Sequence, residues 1–202
     1  MLDGSLAIIA SETLHFDSQL PHYKTKDGVY RDPSENGRIV SPTLMWVEAL
    51  DILLEKLKSK LDFSKVVAIS GSGQQHGSVY WKKGSSAMLA SLDPSKSLLS
   101  QLENAFSAKE SPIWMDSSTS SQYRERERKL LEVHWSYQNL LDLVLMRDIQ
   151  DLKFGSYMRR SKIFERISLF SSFMASLFIG GYDSIDETDA AGMNLIDIRE
   201  HV

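Results

Sequence analysis

Apolar residues from Leu6 to Phe16 (LAIIASETLHF) first run together and then alternate with polar ones, the period of a strand near a sheet edge. Pro21, His22, Tyr23, Gly28, Pro33 and Gly37 follow, a density of turn formers that predicts a loop without a regular element. Ser41 and Pro42 then read as the N-cap and first residue of a helix. Along that helix Leu44, Val47, Leu50, Leu54 and Leu57 recur at spacings of three and four, while Glu48, Glu55, Lys56 and Lys58 fall mostly off the stripe. Such a stripe must pack against something.

The short apolar run Lys65 to Ser70 (KVVAIS) predicts a buried strand that opens into a loop containing Gly71, Gly73 and Gly77. Ser78 to Lys82 (SVYWK) reads as a second strand, Ser95 to Phe106 as a helix after Pro94, and Pro112 to Met115 as a brief strand running into Asp116. Tyr123 to Lys129 (YRERERK) reads as a helix whose mixed charges suit a solvated face. Glu165 to Ile179 is strongly apolar and stops at Gly180 and Gly181, which predicts a buried helix too short to cross a bilayer. The alternation of strands and helices predicts an α/β or mixed-sheet fold.

Composition narrows the function. The 202 residues, 42% hydrophobic and 25% charged, suit one globular domain or slightly more. Lys plus Arg number 23 against 27 Asp plus Glu, a net charge of −4, so a nucleic-acid partner held by bulk positive charge is excluded. The absence of cysteine excludes a disulfide framework, a thiol nucleophile and a thiolate metal site, and suits the cytosol. No apolar run reaches the ~18 residues of a membrane span, and MLDGSLAIIASE lacks the basic start of a signal peptide, so no membrane partner is expected.

Chemistry concentrates in Gly71 to Gly77, GSGQQHG. Three glycines and a serine leave the backbone bare, while Gln74, Gln75 and His76 supply amide donors, amide acceptors and a tautomerisable ring. That set suits a polyhydroxylated ligand, at the end of a strand where open α/β sheets bind their ligands. Equally, it suits a tight glycine loop whose polar side chains satisfy neighbouring backbone groups. The histidines are scattered, which gives zinc little support, and neither GxxxxGK[ST] nor GxGxxG occurs.

SPTLMWVEALD at Ser41 to Asp51, VVAISGSGQQHGSVYWK at Val66 to Lys82, PIWMDSST at Pro112 to Thr119, and ERISL with GMNL further on resemble the N-terminal half of the D-xylulose kinases, members of the FGGY carbohydrate kinase family, most nearly their eukaryotic branch. The resemblance covers Asp3 to about Arg128 and Glu165 to Ile198. It implies a ribonuclease H-like α/β domain of the actin and hexokinase type, here an incomplete N-terminal FGGY domain, with sugar and ATP in a cleft between two such domains. It also implies transfer of the ATP γ-phosphate to the 5-hydroxyl of D-xylulose with Mg²⁺ and a catalytic aspartate. By position His76 matches the family's sugar-binding histidine, and Gln75 is its neighbour in that pocket. Asp116 lies at the mouth of the next strand, where capping of the following residues through Ser117 to Thr119 is the alternative. With no carboxylate nearby in sequence to make it a base, His76 is expected to orient a hydroxyl.

Three departures qualify the resemblance. The family's opening aspartate-bearing hairpin, which meets the ATP phosphates, is expected to be missing, and its catalytic aspartate and ATP-binding domain to lie beyond Val202. Positions that act as a unit lose activity together, so the chain alone is expected not to turn over. A non-catalytic remnant that at most binds sugar weakly is the alternative to a kinase.

Third, residues 130–164 do not resemble the family although both flanks do. Trp135 must be TGG and Met146 and Met158 ATG, and with synonymous codons chosen elsewhere the frame one nucleotide earlier back-translates to a family-like segment. It includes Ser-Tyr-Glu-Arg-Tyr-Thr-Gly, with the arginine that in relatives binds the sugar. A frameshift near Lys129, compensated near Phe164, accounts for this, and poor packing is expected from Val133 to Lys162. The coding DNA tests it. Its earlier frame across residues 130–164 should be open and encode that segment, and stop codons or an unrelated peptide there would refute the frameshift.

Overall fold

The computed structural model describes residues 1–34, 37–74, 76–118, 120 and 164–192. The expected helix from Tyr123 to Lys129, the frameshift segment and Gln75 lie outside the described residues.

The apolar stripe after Pro42 forms the long helix α2 (Thr43–Lys58), preceded by the short α1 (Phe16–Gln19). Its start differs by one residue from expectation. Ser41 and Pro42 finish strand β2 (Arg38–Pro42), Pro42 occupies the N-cap, and the Ser41 hydroxyl donates to the Gly28 carbonyl (2.8 Å). The first helical N–H, that of Thr43, donates instead to the Lys109 carbonyl (3.0 Å). Met45, Trp46, Val47, Ala49 and Leu50 are buried, so the first half of α2 is enclosed on more than the Val47 and Leu50 face. Lys56 and Lys58 in the last turn suit the negative end of the helix dipole.

The turn-rich stretch before α2 contains a strand that its composition concealed. β1 (Tyr30–Asp32) pairs antiparallel with β2, Tyr30 opposite Val40, and Gly37 supplies the positive φ at the turn. On its other edge β2 pairs antiparallel with β4 (Glu110–Pro112), Val40 opposite Pro112. The expected strand at Pro112 to Met115 thus sits slightly earlier in the chain.

The second sheet joins β3 (Ser78–Lys82), at its expected limits, to β5 (Phe164–Leu169), again antiparallel. Here the expected helix from Glu165 is corrected. Arg166, Ile167, Ser168 and Leu169 pair with Trp81, Tyr80, Val79 and Ser78, and the helix α5 (Phe170–Ile179) begins only afterwards. Cross-strand hydrogen bonding outweighs helical preference in a run whose apolar character fits either period. The helix ends as expected, at Gly180 in the left-handed conformation (φ +68). The remaining helices are short: α3 (Ser85–Ala90), α4 (Leu98–Leu102) and α6 (Glu187–Gly192). Asp51 of α2 accepts the N–H groups of Leu98 and Leu99 (3.0 and 2.9 Å), satisfying the start of α4.

Between α2, β3 and α5 lies an aromatic core. Trp81, fully buried, has ring centroids 5.0 Å from Phe106, 5.5 Å from Tyr182 and 5.6 Å from Phe173, and its indole N–H donates to the Ser168 hydroxyl (2.9 Å). The Glu165 carboxylate accepts from Gly84 N–H (2.6 Å), Tyr182 hydroxyl (3.0 Å) and Ser86 N–H (3.3 Å). Those bonds, the Gly84 one foremost, hold it below the usual carboxylate range. Asp17 is lowered likewise by Gly28 N–H, the Thr25 hydroxyl and Asp27 N–H.

Two expected strands do not form. Residues 65–70 run without a ladder, with Val67 99% and Ile69 63% exposed. Leu6 to Phe16 forms no named strand either: Ile8 bridges Leu2, Asp3 N–H donates to the Ala7 carbonyl (3.0 Å) and Ile9 N–H to that of Met1 (3.1 Å), Phe16 already opens α1, and Leu6 and Ile8 are 77% and 75% exposed. A strand is stable only beside a neighbour: among the described residues no strand pairs with residues 65–70, and the first run pairs only with the short Met1 to Asp3 stretch that folds back on it. Unpaired apolar segments of this kind invite aggregation.

Core and edge are expected to respond oppositely to substitution. Phe173→Ala should cost about 3–5 kcal/mol in urea unfolding, whereas Val67→Ser should change stability by no more than about 0.5 kcal/mol; a comparable loss at both would contradict the packing described. Because the folded carboxyls of Asp17 and Glu165 are depressed, their contribution is present above the unfolded value near ~4 and lost as pH falls through the folded value. Urea unfolding below pH ~5 should therefore show stability declining, and less steeply for Asp17→Asn/Glu165→Gln than for the parent; equal slopes would refute their part.

Candidate functional site

The glycine loop 71–77 leads directly into β3, so its position follows from the β3–β5 register. Ser78 lies opposite Leu169, and the next residue along, Phe170, donates its N–H to the Gly77 carbonyl (3.1 Å), which carries the pairing one step into the loop. At Gly73 a Cβ would overlap the Cδ1 atom of the Phe170 ring and lie 3.2 Å from its Cε1. Close approach is therefore what demands glycine there. Gln74 folds back within the loop, its Cγ and Nε2 each 3.5 Å from where a Gly77 Cβ would stand.

His76 is half-buried and has φ +62, the left-handed region. For a residue with a Cβ this conformation costs about 1–2 kcal/mol, although histidine is among the residues enriched there. Strain of this sort persists where surrounding structure enforces it and concentrates at ligand sites. No periodicity in the sequence could reveal it. The bend lies just before β3, between Gly73 and Gly77, the two points at which the loop meets Phe170 at the start of α5.

Asp116 belongs to the other sheet. It follows β4 and is 2% exposed; its Oδ1 accepts the N–H of Ile39 (3.2 Å) and of Ser118 (3.3 Å), and its Oδ2 accepts the Ser118 hydroxyl (3.2 Å). A carboxylate has roughly four acceptor positions, so three are already taken by the protein. The adjacent Ser117 N–H donates to the Gly37 carbonyl (2.8 Å), and together these bonds close the end of β4 onto the start of β2. The local satisfaction anticipated for this aspartate is thus present, with Ser118 as its partner. Loop and aspartate lie on separate sheets, joined by the 105–112 segment, where Lys82 N–H donates to the Ala105 carbonyl (2.8 Å) and Ser107 N–H to that of Tyr80 (2.9 Å).

The sequence pattern singles out His76 but not Phe170, whose contact with the loop depends on a strand pairing hidden within an apparently helical run. Among the described residues no group of three or more His, Asp or Glu is placed to hold a metal ion, so the Mg²⁺ implied by the sequence resemblance finds no fitting set there.

No protein-family model matches the chain. Compared with curated proteins, it is 57% identical over 210 residues to Xylulose kinase 2 of Arabidopsis thaliana, covering 99% of this chain and 37% of that protein. It is 44% identical over 212 residues to the xylulose kinase of Mus musculus (100% and 37%), and 38% identical over 210 residues to that of Saccharomyces cerevisiae (98% and 34%). The chain thus spans little more than a third of the length of these relatives. It is similar, over an alignment of 210 to 212 residues, to proteins named xylulose kinase from plant, animal and fungus.

Proposed function

We propose that the chain is the sugar-recognising, N-terminal portion of an ATP-dependent kinase for D-xylulose, built as a partial ribonuclease H-like domain of the FGGY family. The observation that carries this reading is His76, held left-handed on a bare glycine loop at the entry to β3. Its imidazole, with the Gln75 amide beside it in sequence, offers donors and acceptors to vicinal hydroxyls, and the exposed glycines let a sugar approach the backbone. Asp116, buried beside the other sheet with three acceptor positions taken by Ile39 and Ser118, is proposed as a further sugar contact on the sequence resemblance alone. Orienting the ketopentose so that its 5-hydroxyl faces the phosphate donor is the part of the reaction these residues perform.

Phosphoryl transfer from ATP, when Mg²⁺ is bound, spreads negative charge that phosphate clamps and a positioned base must meet. The sequence resemblance assigns those elements to other parts of the family's architecture, and the frameshift expected across residues 130–164 would remove the family's sugar-binding arginine as well. The isolated chain is therefore proposed to bind D-xylulose weakly without turning it over, in the cytosol.

Asparagine also tolerates the left-handed conformation, so His76→Asn removes the ring while sparing the bend. Loss of one such hydrogen bond should weaken D-xylulose binding about three- to tenfold in a calorimetric or NMR titration. The parent chain given D-xylulose, ATP and Mg²⁺ in a coupled ADP assay should show no turnover. Unchanged binding in the variant would sink the role of His76, and robust turnover would overthrow the non-catalytic reading.

A further inference from the structure

Phe170 touches the glycine loop at both ends of its polar stretch. Its backbone N–H donates to the Gly77 carbonyl (3.1 Å), and its ring edge occupies the space a side chain at Gly73 would need. Between those two points the chain passes through His76 at φ +62. The ring itself is not free to give way. Trp46 of α2 meets it edge-on, with centroids 4.8 Å apart and planes at 82°, and Phe173, one turn along α5, lies at 6.3 Å and 62°. Trp46 and Phe173 are core residues, so the loop rests on a support continuous with the best-packed part of the molecule.

Gly73 and Gly77 have no positive φ, so no left-handed turn requires glycine at either. What requires it at Gly73 is the ring. Remove the ring and that backbone loses its support, leaving His76 able to relax toward an ordinary conformation and swing its imidazole away. A site built for affinity needs the opposite, a side chain whose direction is fixed before the ligand arrives.

We infer that Phe170 is a positioning residue for His76: it braces the 71–77 loop at Gly73 and Gly77 and thereby fixes the imidazole in the direction the ketopentose requires. The inference rests on the reading of this loop as the sugar site, but the bracing itself can be observed without any ligand.

The test compares the full chain with Phe170→Ala, Gly73→Ala and the double variant, reading the imidazole Cε1–H NMR signal of His76, assigned by its loss in His76→Asn. Phe170→Ala withdraws the support, whereas Gly73→Ala pushes against it from the loop side without opening the core. Each single variant should shift that signal and weaken D-xylulose binding about tenfold, the equivalent of giving up an enforced left-handed conformation. The double variant, in which the added methyl fills space vacated by the ring, should recover part of both losses, a coupling expected only of groups in contact. Phe170→Leu should resemble the parent more than Phe170→Ala does. If Phe170 merely fills the core, Phe170→Ala will lower thermal stability while Gly73→Ala leaves the His76 signal and the binding unmoved; that result, or strict additivity in the double variant, overturns the inference. Should the parent chain fail to bind D-xylulose while the signal still shifts and is rescued as described, the bracing stands and the sugar-binding reading falls.

Discussion

Everything the loop can do depends on the pairing of β3 with β5. Two strands far apart in sequence are locked with Ser78 opposite Leu169, and because a strand's side chains alternate, a slip of one residue would send Trp81 out of the core and turn Phe170 away from Gly73. Trp81 makes such a slip expensive. Its ring is shared among Phe106, Phe173 and Tyr182, and its N–H has a partner in Ser168, so only the observed register both buries the indole and satisfies it. The geometry of the candidate site is therefore a consequence of core packing, set by residues that need never touch a sugar.

How much of this the sequence disclosed follows from which forces are local. The helix at Thr43–Lys58 was legible because period, flanking proline and last-turn lysines agree, and β3 was legible to the residue because a short aromatic, β-branched run has few alternatives. β5 was hidden because Ile167, Leu169, Phe170 and Phe173 form an apolar run that fits a helix as well as a strand, and only the distant β3 decides between them. β1 was hidden for a related reason: three residues amid prolines and glycines become a strand only because β2 offers them an edge. The glycine loop stood out by composition, yet the strain at His76 and the ring beneath Gly73 are properties of three-dimensional approach.

The runs at Leu6 to Phe16 and Lys65 to Ser70 show the same principle from the other side. Their patterns are those of strands, yet Leu6 is left-handed (φ +67), Phe16 starts α1 and Lys65 ends a 3-10 turn. Secondary structure of this kind is a relation between segments, and a segment with no neighbouring strand among the described residues keeps the pattern without the ladder.

That absence bears on the loop itself. Residues 71–77 are anchored at their C-terminal side, where Gly77 is bonded to Phe170 and the chain enters a paired strand, but the run that feeds them is exposed and unpaired. Holding a residue in one backbone conformation costs about 1–2 kcal/mol, and on the unpaired side no ladder offsets that cost. A sugar that needs the whole loop in place must supply the difference from its own hydrogen bonds, each worth about 0.5–1.5 kcal/mol net. Two or three such bonds are consumed in ordering two residues. If the loop is the proposed sugar site, weak binding follows from the architecture, and a neighbour strand beside Lys65 to Ser70 would raise affinity without contacting the sugar, by paying that entropy in advance.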